Sequence, residues 1–167
     1  MQASMAVHSF NEGPALERLI LSSLHASDLI SEWVVLDHRS NDDTQAILDE
    51  LEPVLAAHGI PLRRLFEERD LSRELTFAHV RDRTVQECRS DIVALMDADF
   101  VLGEAFRDTL WAALLAFRAK PRLAAIKHRI PILWDHVQTD ADGRVTDHGR
   151  LFLHGYSHRI LRRKAVR

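Results

Sequence analysis

Short apolar runs alternate along this chain with longer stretches in which apolar residues recur every three or four positions. The first pattern reads as strands buried on both faces, the second as amphipathic helices. Ser4 to Phe10 is the first strand. Pro14 then opens a helix carrying Leu16, Leu19, Ile20, Ser23 and Leu24 on one face. Glu32 to Leu36 is a second buried strand, ending at Asp37. Ser40 or Asn41 is placed to cap the next helix, which turns Ile47, Leu48, Leu51 and Leu55 inward. Pro53 predicts a kink or an early end to that helix, Gly59 a stop, and Pro61 a bar to continuation.

Leu62 to Phe66 reads as a third strand, followed by a charged stretch through Glu74 and a helix over Leu75 to Glu87. Asp91 to Phe100 holds a fourth strand. Phe106, Leu110, Ala113, Leu114 and Phe117 mark another helix, closed before Pro121. Leu123 to Ile132 resumes strand character. Beyond Trp134 the pattern becomes a turn-rich hairpin across Asp142-Gly143, then strands at Leu151 to Leu153 and His158 to Leu161. This alternation predicts an α/β fold: a mostly parallel central sheet between two helical layers, with a C-terminal β-hairpin region.

At 167 residues, 46% hydrophobic and 28% charged, the chain fits one ordinary globular domain. A net charge of −3 gives no reason to expect a nucleic-acid partner. The basic cluster Arg159, Arg162, Arg163, Lys164 and Arg167 suits a solvated face, a phosphate or the anionic surface of a membrane. Cys88 is the single cysteine, which excludes an internal disulfide and a cysteine-based zinc site. With no signal peptide and no membrane-spanning run, the expected compartment is the cytoplasm, at most at the inner face of the membrane.

Candidate chemistry concentrates in Met96-Asp97-Ala98-Asp99, where a buried strand ends in two carboxylates. Ligands of open α/β sheets sit beyond the carboxyl ends of the strands, and a hard divalent cation prefers oxygen ligands there. Asp140-Ala141-Asp142 repeats the spacing, but the following Gly143 marks it as a turn.

Three separated segments carry a resemblance: Ser9-Phe10-Asn11-Glu12, then Val34 to Thr44 (Val-Val-Leu-Asp-His-Arg-Ser-Asn-Asp-Asp-Thr), then Met96 to Asp99. Phe77 to Asp82 adds an arginine-bearing helix between the last two. Together they resemble the nucleotide-sugar-binding half of glycosyltransferase family 2, with its three-layer GT-A fold. The resemblance implies a metal-dependent inverting transfer from a nucleoside-diphosphate sugar to an acceptor hydroxyl on a glycan, a lipid or a small molecule. It implies Mg²⁺ or Mn²⁺ on Asp99, with Asp97 sharing the metal or binding the ribose. Phe10 would stack on the base, Asp37 would bond its ring, Glu12 would line the ribose, and Arg81 would meet the diphosphate. Residues 1–103 would form the donor half and 104–167 the start of the acceptor half.

The sequence departs from the family pattern at His38 and Arg39, where a second aspartate and a glycine are common. The family's base is expected downstream of His154 to Lys164, beyond residue 167; within the chain Asp135, Asp147 and His148 are the available groups, with His154 as a further metal ligand. Two other readings fit less of the pattern. A sugar-phosphate nucleotidyltransferase would want a glycine-rich basic loop where Asn11-Glu12-Gly13-Pro14 stands, and a binding module would hold the donor without turning it over.

Overall fold

The computed structural model describes residues 1–69, 76–133, 138–139, 145–147 and 151–163, side chains between 127 and 159 excepted. In chain order the elements are β1 (Ala3–Ser9), α1 (Gly13–Ser22), a 3₁₀ segment (Leu24–Leu29), β2 (Ile30–Asp37), α2 (Thr44–Ala57), β3 (Leu62–Phe66), α3 (Phe77–Glu87), β4 (Ile92–Asp97) and α4 (Ala105–Ala119). Four strands follow: β5 (Ala125–Leu133), β6 (Gln138–Thr139), β7 (Val145–Asp147) and β8 (Leu151–Arg162). The main sheet runs in the order β3-β2-β1-β4-β8-β5. β1 pairs in parallel with β2 and β4, and β2 with β3, while β8 runs antiparallel to both β4 and β5. Only β8 therefore opposes the rest.

Strand residues alternate between two cores, as a pleated strand requires. Met5, Val7, Trp33, Val35, Ala94 and Met96 face the layer holding α1, α2 and α4. Ala6, Val34, Val93 and Leu95 face the layer of α3, where Val85 and Cys88 meet them. Trp33 is fully buried and its indole N–H donates to Ser23 Oγ at 3.3 Å, so its one polar atom is satisfied. Burying a large apolar side chain of this kind stabilises the fold by about 1.5–3 kcal/mol.

Four local expectations are revised. β1 ends at Ser9, so Phe10 falls just past the strand rather than within it, and is 53% exposed. Asp43, not Ser40 or Asn41, is the N-cap residue of α2, and Asp42 Oδ1 accepts from Thr44 N at 3.1 Å. α2 runs through Pro53 to Ala57; the proline lies on the exposed side, where water can serve the carbonyl its missing N–H leaves over. The two strands expected near the C-terminus form one, β8, because it pairs along β5 from Leu133 to Ala125. β6 and β7 pair antiparallel as the hairpin predicts; Asp142-Gly143 itself lies outside the described residues.

At the end of the sheet away from the site, buried Glu32 accepts from Ser4 Oγ at 2.7 Å and Arg89 N at 2.5 Å. Burial, reinforced by Glu32, pushes the neighbouring Cys88 thiol up to about 12, so it stays protonated at neutral pH. This corner pins strands together and offers no nucleophile.

Candidate active site

Asp37 and Asp97 end the strands that flank β1. Ser9 is in register with Asp37 and His8 with Asp97, so the two carboxylates leave opposite faces of the sheet. Each meets a helix on its own side: Gln45 of α2 donates to Asp37 Oδ2 at 2.6 Å, and Arg81 of α3 donates to Asp97 Oδ1.

Asp37 is 2% exposed and heavily committed. Besides Gln45, Ser40 donates to Oδ1 from both its N (3.1 Å) and its Oγ (2.5 Å). Its carboxylate therefore shapes the loop between β2 and α2. That loop is stapled to the one after β1: Asn11 N donates to Ser40 Oγ at 2.9 Å, and Asn41 N donates to Asn11 Oδ1 at 2.8 Å. Gly13 N donates to Asp42 Oδ2 at 3.3 Å. Asn11 and Arg39 hold φ values of 55° and 58°, a left-handed conformation that non-glycine residues adopt at a cost. Such strain clusters where a structure presents side chains to a ligand.

On the α3 side, Thr76 and His79 form a reciprocal cap that fixes the start of the helix. Phe77 follows the cap, 52% exposed, its ring edge-on to His8 at 4.5 Å and 5.0 Å from the Arg81 guanidinium carbon. Arg81 thus lies between an aromatic face and a carboxylate.

Glu12 and Asp99 complete the acidic edge. Asp99 is exposed in the turn after β4, and Glu12 is partly exposed before α1. Burial raises the Glu12 carboxyl above its ordinary value, and the charges of Asp99 and Asp97 raise it further. Glu12, Asp97 and Asp99 therefore share one field although they come from two loops. Among the described residues no three His, Cys, Asp or Glu side chains converge closely enough to cage an ion. A hard cation commonly takes one or two protein carboxylates and fills its shell with water and phosphate oxygens, so this donor set fits one.

A third group of residues braces the rim. Glu67, buried at the end of β3, accepts two bonds from the Arg69 guanidinium at 2.9 Å each and one from Arg83 of α3 at 2.5 Å. These partners hold its carboxyl down at about 2. Nε2 of His38 lies 2.6 Å from the Arg69 carbonyl, and the Phe10 ring sits 5.9 Å from the His38 ring.

Of the residues singled out by sequence, Phe10, Glu12, Asp37, Arg81, Asp97 and Asp99 therefore gather at the carboxyl end of β1, β2 and β4. Asp135 and His148 lie outside the described residues, as do the side chains of Asp147 and His154. Sequence reasoning missed Asn11, Gln45, Phe77 and Glu67. The nearest signals were the loop position of Asn11 and the place of Phe77 four residues before Arg81.

Residues 4–120 match the model of glycosyl transferase family 2. Among solved structures, S. aureus TarS 1-349 matches 71% of this chain and 33% of its own at 18% identity and TM-score 0.55, a likeness of fold. Mannosyltransferase PcManGT from Pyrobaculum calidifontis, in complex with GDP-Man and Mn²⁺, matches 74% of this chain and 34% of its own at 26% identity and TM-score 0.56. Glucosyl-3-phosphoglycerate synthase from Mycobacterium tuberculosis, with Mn²⁺, UDP and glucosyl-3-phosphoglycerate, matches 68% and 39% at 26% identity and TM-score 0.50. The chain thus spans between a third and two-fifths of the length of these structures. No curated protein matches it.

Proposed function

The chain belongs to glycosyl transferase family 2, and on that premise we propose that it moves a sugar from a nucleoside-diphosphate donor to an acceptor hydroxyl with inversion, assisted by Mg²⁺ or Mn²⁺. One observation carries the reading: the carboxylates of Glu12, Asp97 and Asp99 share one sheet edge, where burial first and then the two aspartate charges raise the Glu12 carboxyl, beside the Arg81 guanidinium. That combination of excess negative charge and an arginine suits a diphosphate bound together with a cation. Two 26%-identical neighbours determined with a nucleotide and Mn²⁺ support the same ligands here.

Asp97 and Asp99 would hold the ion. When bound, it neutralises charge developing on the leaving diphosphate. Arg81 would bind the diphosphate oxygens, a fork suited to paired acceptors. Phe10 would stack on the base, a contact worth about 1–3 kcal/mol. Glu12 would lie along the ribose, and Asp37 would keep the loop under the base in shape through Ser40 and Gln45. A base for the acceptor hydroxyl is not assigned, because the candidate Asp135 lies outside the described residues.

No helix among the described residues is long and apolar enough to cross a membrane. The acceptor belongs to one of three classes: a glycan, a small molecule, or a lipid met at the inner membrane face through the basic C-terminal cluster. A panel of UDP- and GDP-sugars offered with Mn²⁺ tests the reading. Release of nucleoside diphosphate that EDTA stops supports it. Neither binding nor release with any donor refutes it.

A further inference from the structure

Arg39 holds a backbone conformation that glycine enters freely and an arginine does not, with φ at 58°. Asn11, the other non-glycine residue of this kind among those described, has a local return: its side chain and its N–H both staple the two loops together. Arg39 has none. Among the described residues its guanidinium has no hydrogen bond or ion pair and is exposed, as are those of Arg18, Arg89, Arg118 and Arg122, but of these only Arg39 holds a positive φ. The unspent donors stand on the rim between His38 and Ser40, next to the loop that carries Phe10.

His38 adds an acceptor to that rim. It is 7% exposed, and its Nε2 faces a carbonyl, which only accepts, so Nε2 carries the proton and Nδ1 the lone pair. Nδ1 is buried with no hydrogen-bond partner among the described residues. A buried acceptor left unmatched is costly unless a ligand completes it. The carbonyl that sets the tautomer is itself fixed, since Arg69 is gripped by Glu67 through both backbone and guanidinium.

We propose that His38 and Arg39 read the base of the nucleoside diphosphate and favour guanine. The inference rests on the donor site proposed above, which puts the base on Phe10. A guanidinium donates two parallel bonds, and guanine offers it O6 and N7 side by side, with the N1–H donor next to O6 for Nδ1. Uracil has a ring N–H but no adjacent pair of acceptors. Adenine sets an amino donor beside N7, against which an all-donor guanidinium gains nothing. Cytosine pairs O2 with N3 but lacks a ring N–H. Guanine alone supplies both halves.

Calorimetric titration of the whole chain with GDP, UDP, CDP and ADP, each with Mn²⁺, tests this in the wild type, Arg39→Gly and Arg39→Lys. GDP is expected to bind about tenfold or more tighter than the other three. Arg39→Gly is expected to bring GDP to within about threefold of UDP, by weakening GDP, without lowering the melting temperature, since glycine accepts this φ. Arg39→Lys keeps the charge but not the fork and should lose the preference as well. Equal affinity for GDP and UDP in the wild type overturns the proposal and leaves the donor site standing. So does a preference that survives Arg39→Gly. Binding of none of the four overturns the donor site too.

Discussion

Arg81 of α3 donates through Nη2 to Oδ1 of Asp97 at the end of β4, and both side chains are 29% exposed. The pair ties the α3 layer to the acidic edge of the sheet. It also sets the cost of binding: a diphosphate that takes Arg81 must share it with, or draw it from, Asp97. A cation on Asp97 would compensate that carboxylate for the guanidinium it gives up. On the proposed reading, arginine and cation would exchange partners around one carboxylate.

Arg81→Ala should therefore weaken nucleoside-diphosphate binding about tenfold to a hundredfold, the worth of one charge-assisted bond. Stability should change little, because part-exposed ion pairs contribute about 0–1 kcal/mol. Calorimetry and thermal melts on the same variant separate the two effects. A large fall in melting temperature with unchanged affinity would make Arg81 a structural residue.

The Gly13 backbone packs where no side chain fits. A Cβ there would meet Ile47 Cδ1 at 2.8 Å, Asp43 Oδ1 at 3.0 Å and Thr44 Cα at 3.1 Å. Gly13→Ala should cost about 1–3 kcal/mol as the start of α1 is pushed from α2. Adding Ile47→Val, which removes Cδ1, should recover part of the loss. Full stability of the single variant in urea would show that the helices separate freely.

Glu67 makes stability depend on acid. Its carboxyl is at about 2 in the folded chain against an ordinary 4.5, so the folded state binds its proton less readily than the unfolded state. The stabilisation is fully present above about 4.5 and is lost as pH falls from there towards 2. Denaturant melts of wild type and Glu67→Gln should differ at pH 7 and converge near pH 2. A gap that stays constant across that range would remove Arg69 and Arg83 as the cause.

The sheet and its site were legible in sequence to different depths. Buried strands such as Val34 to Leu36 declare themselves because both faces need apolar residues, and Met96-Asp97-Ala98-Asp99 stands out because carboxylates end such a run. Local rules failed where tertiary context prevailed. Pro53 predicted a kink or an early end to α2, yet the helix runs on to Ala57 with the proline on the exposed side, where the lost bond costs least. Phe10 read as the last residue of the first strand, and only the structure shows it just past β1 and exposed. The commitment of Asp37 to Ser40 and Gln45 depends on a loop path that no spacing encodes. The same holds for Glu67, whose partners come from two different elements.

The central claim is that Asp97 and Asp99 bind a divalent cation together with a nucleoside diphosphate. Titration of GDP and UDP into the wild-type chain and Asp99→Ala, each with Mn²⁺ and with EDTA, tests it most directly. In the wild type Mn²⁺ should tighten binding about tenfold or more, because the ion joins carboxylate to phosphate. In Asp99→Ala that gain should vanish while the weak metal-free binding persists. Equal affinity with Mn²⁺ and with EDTA in the wild-type chain would contradict the account.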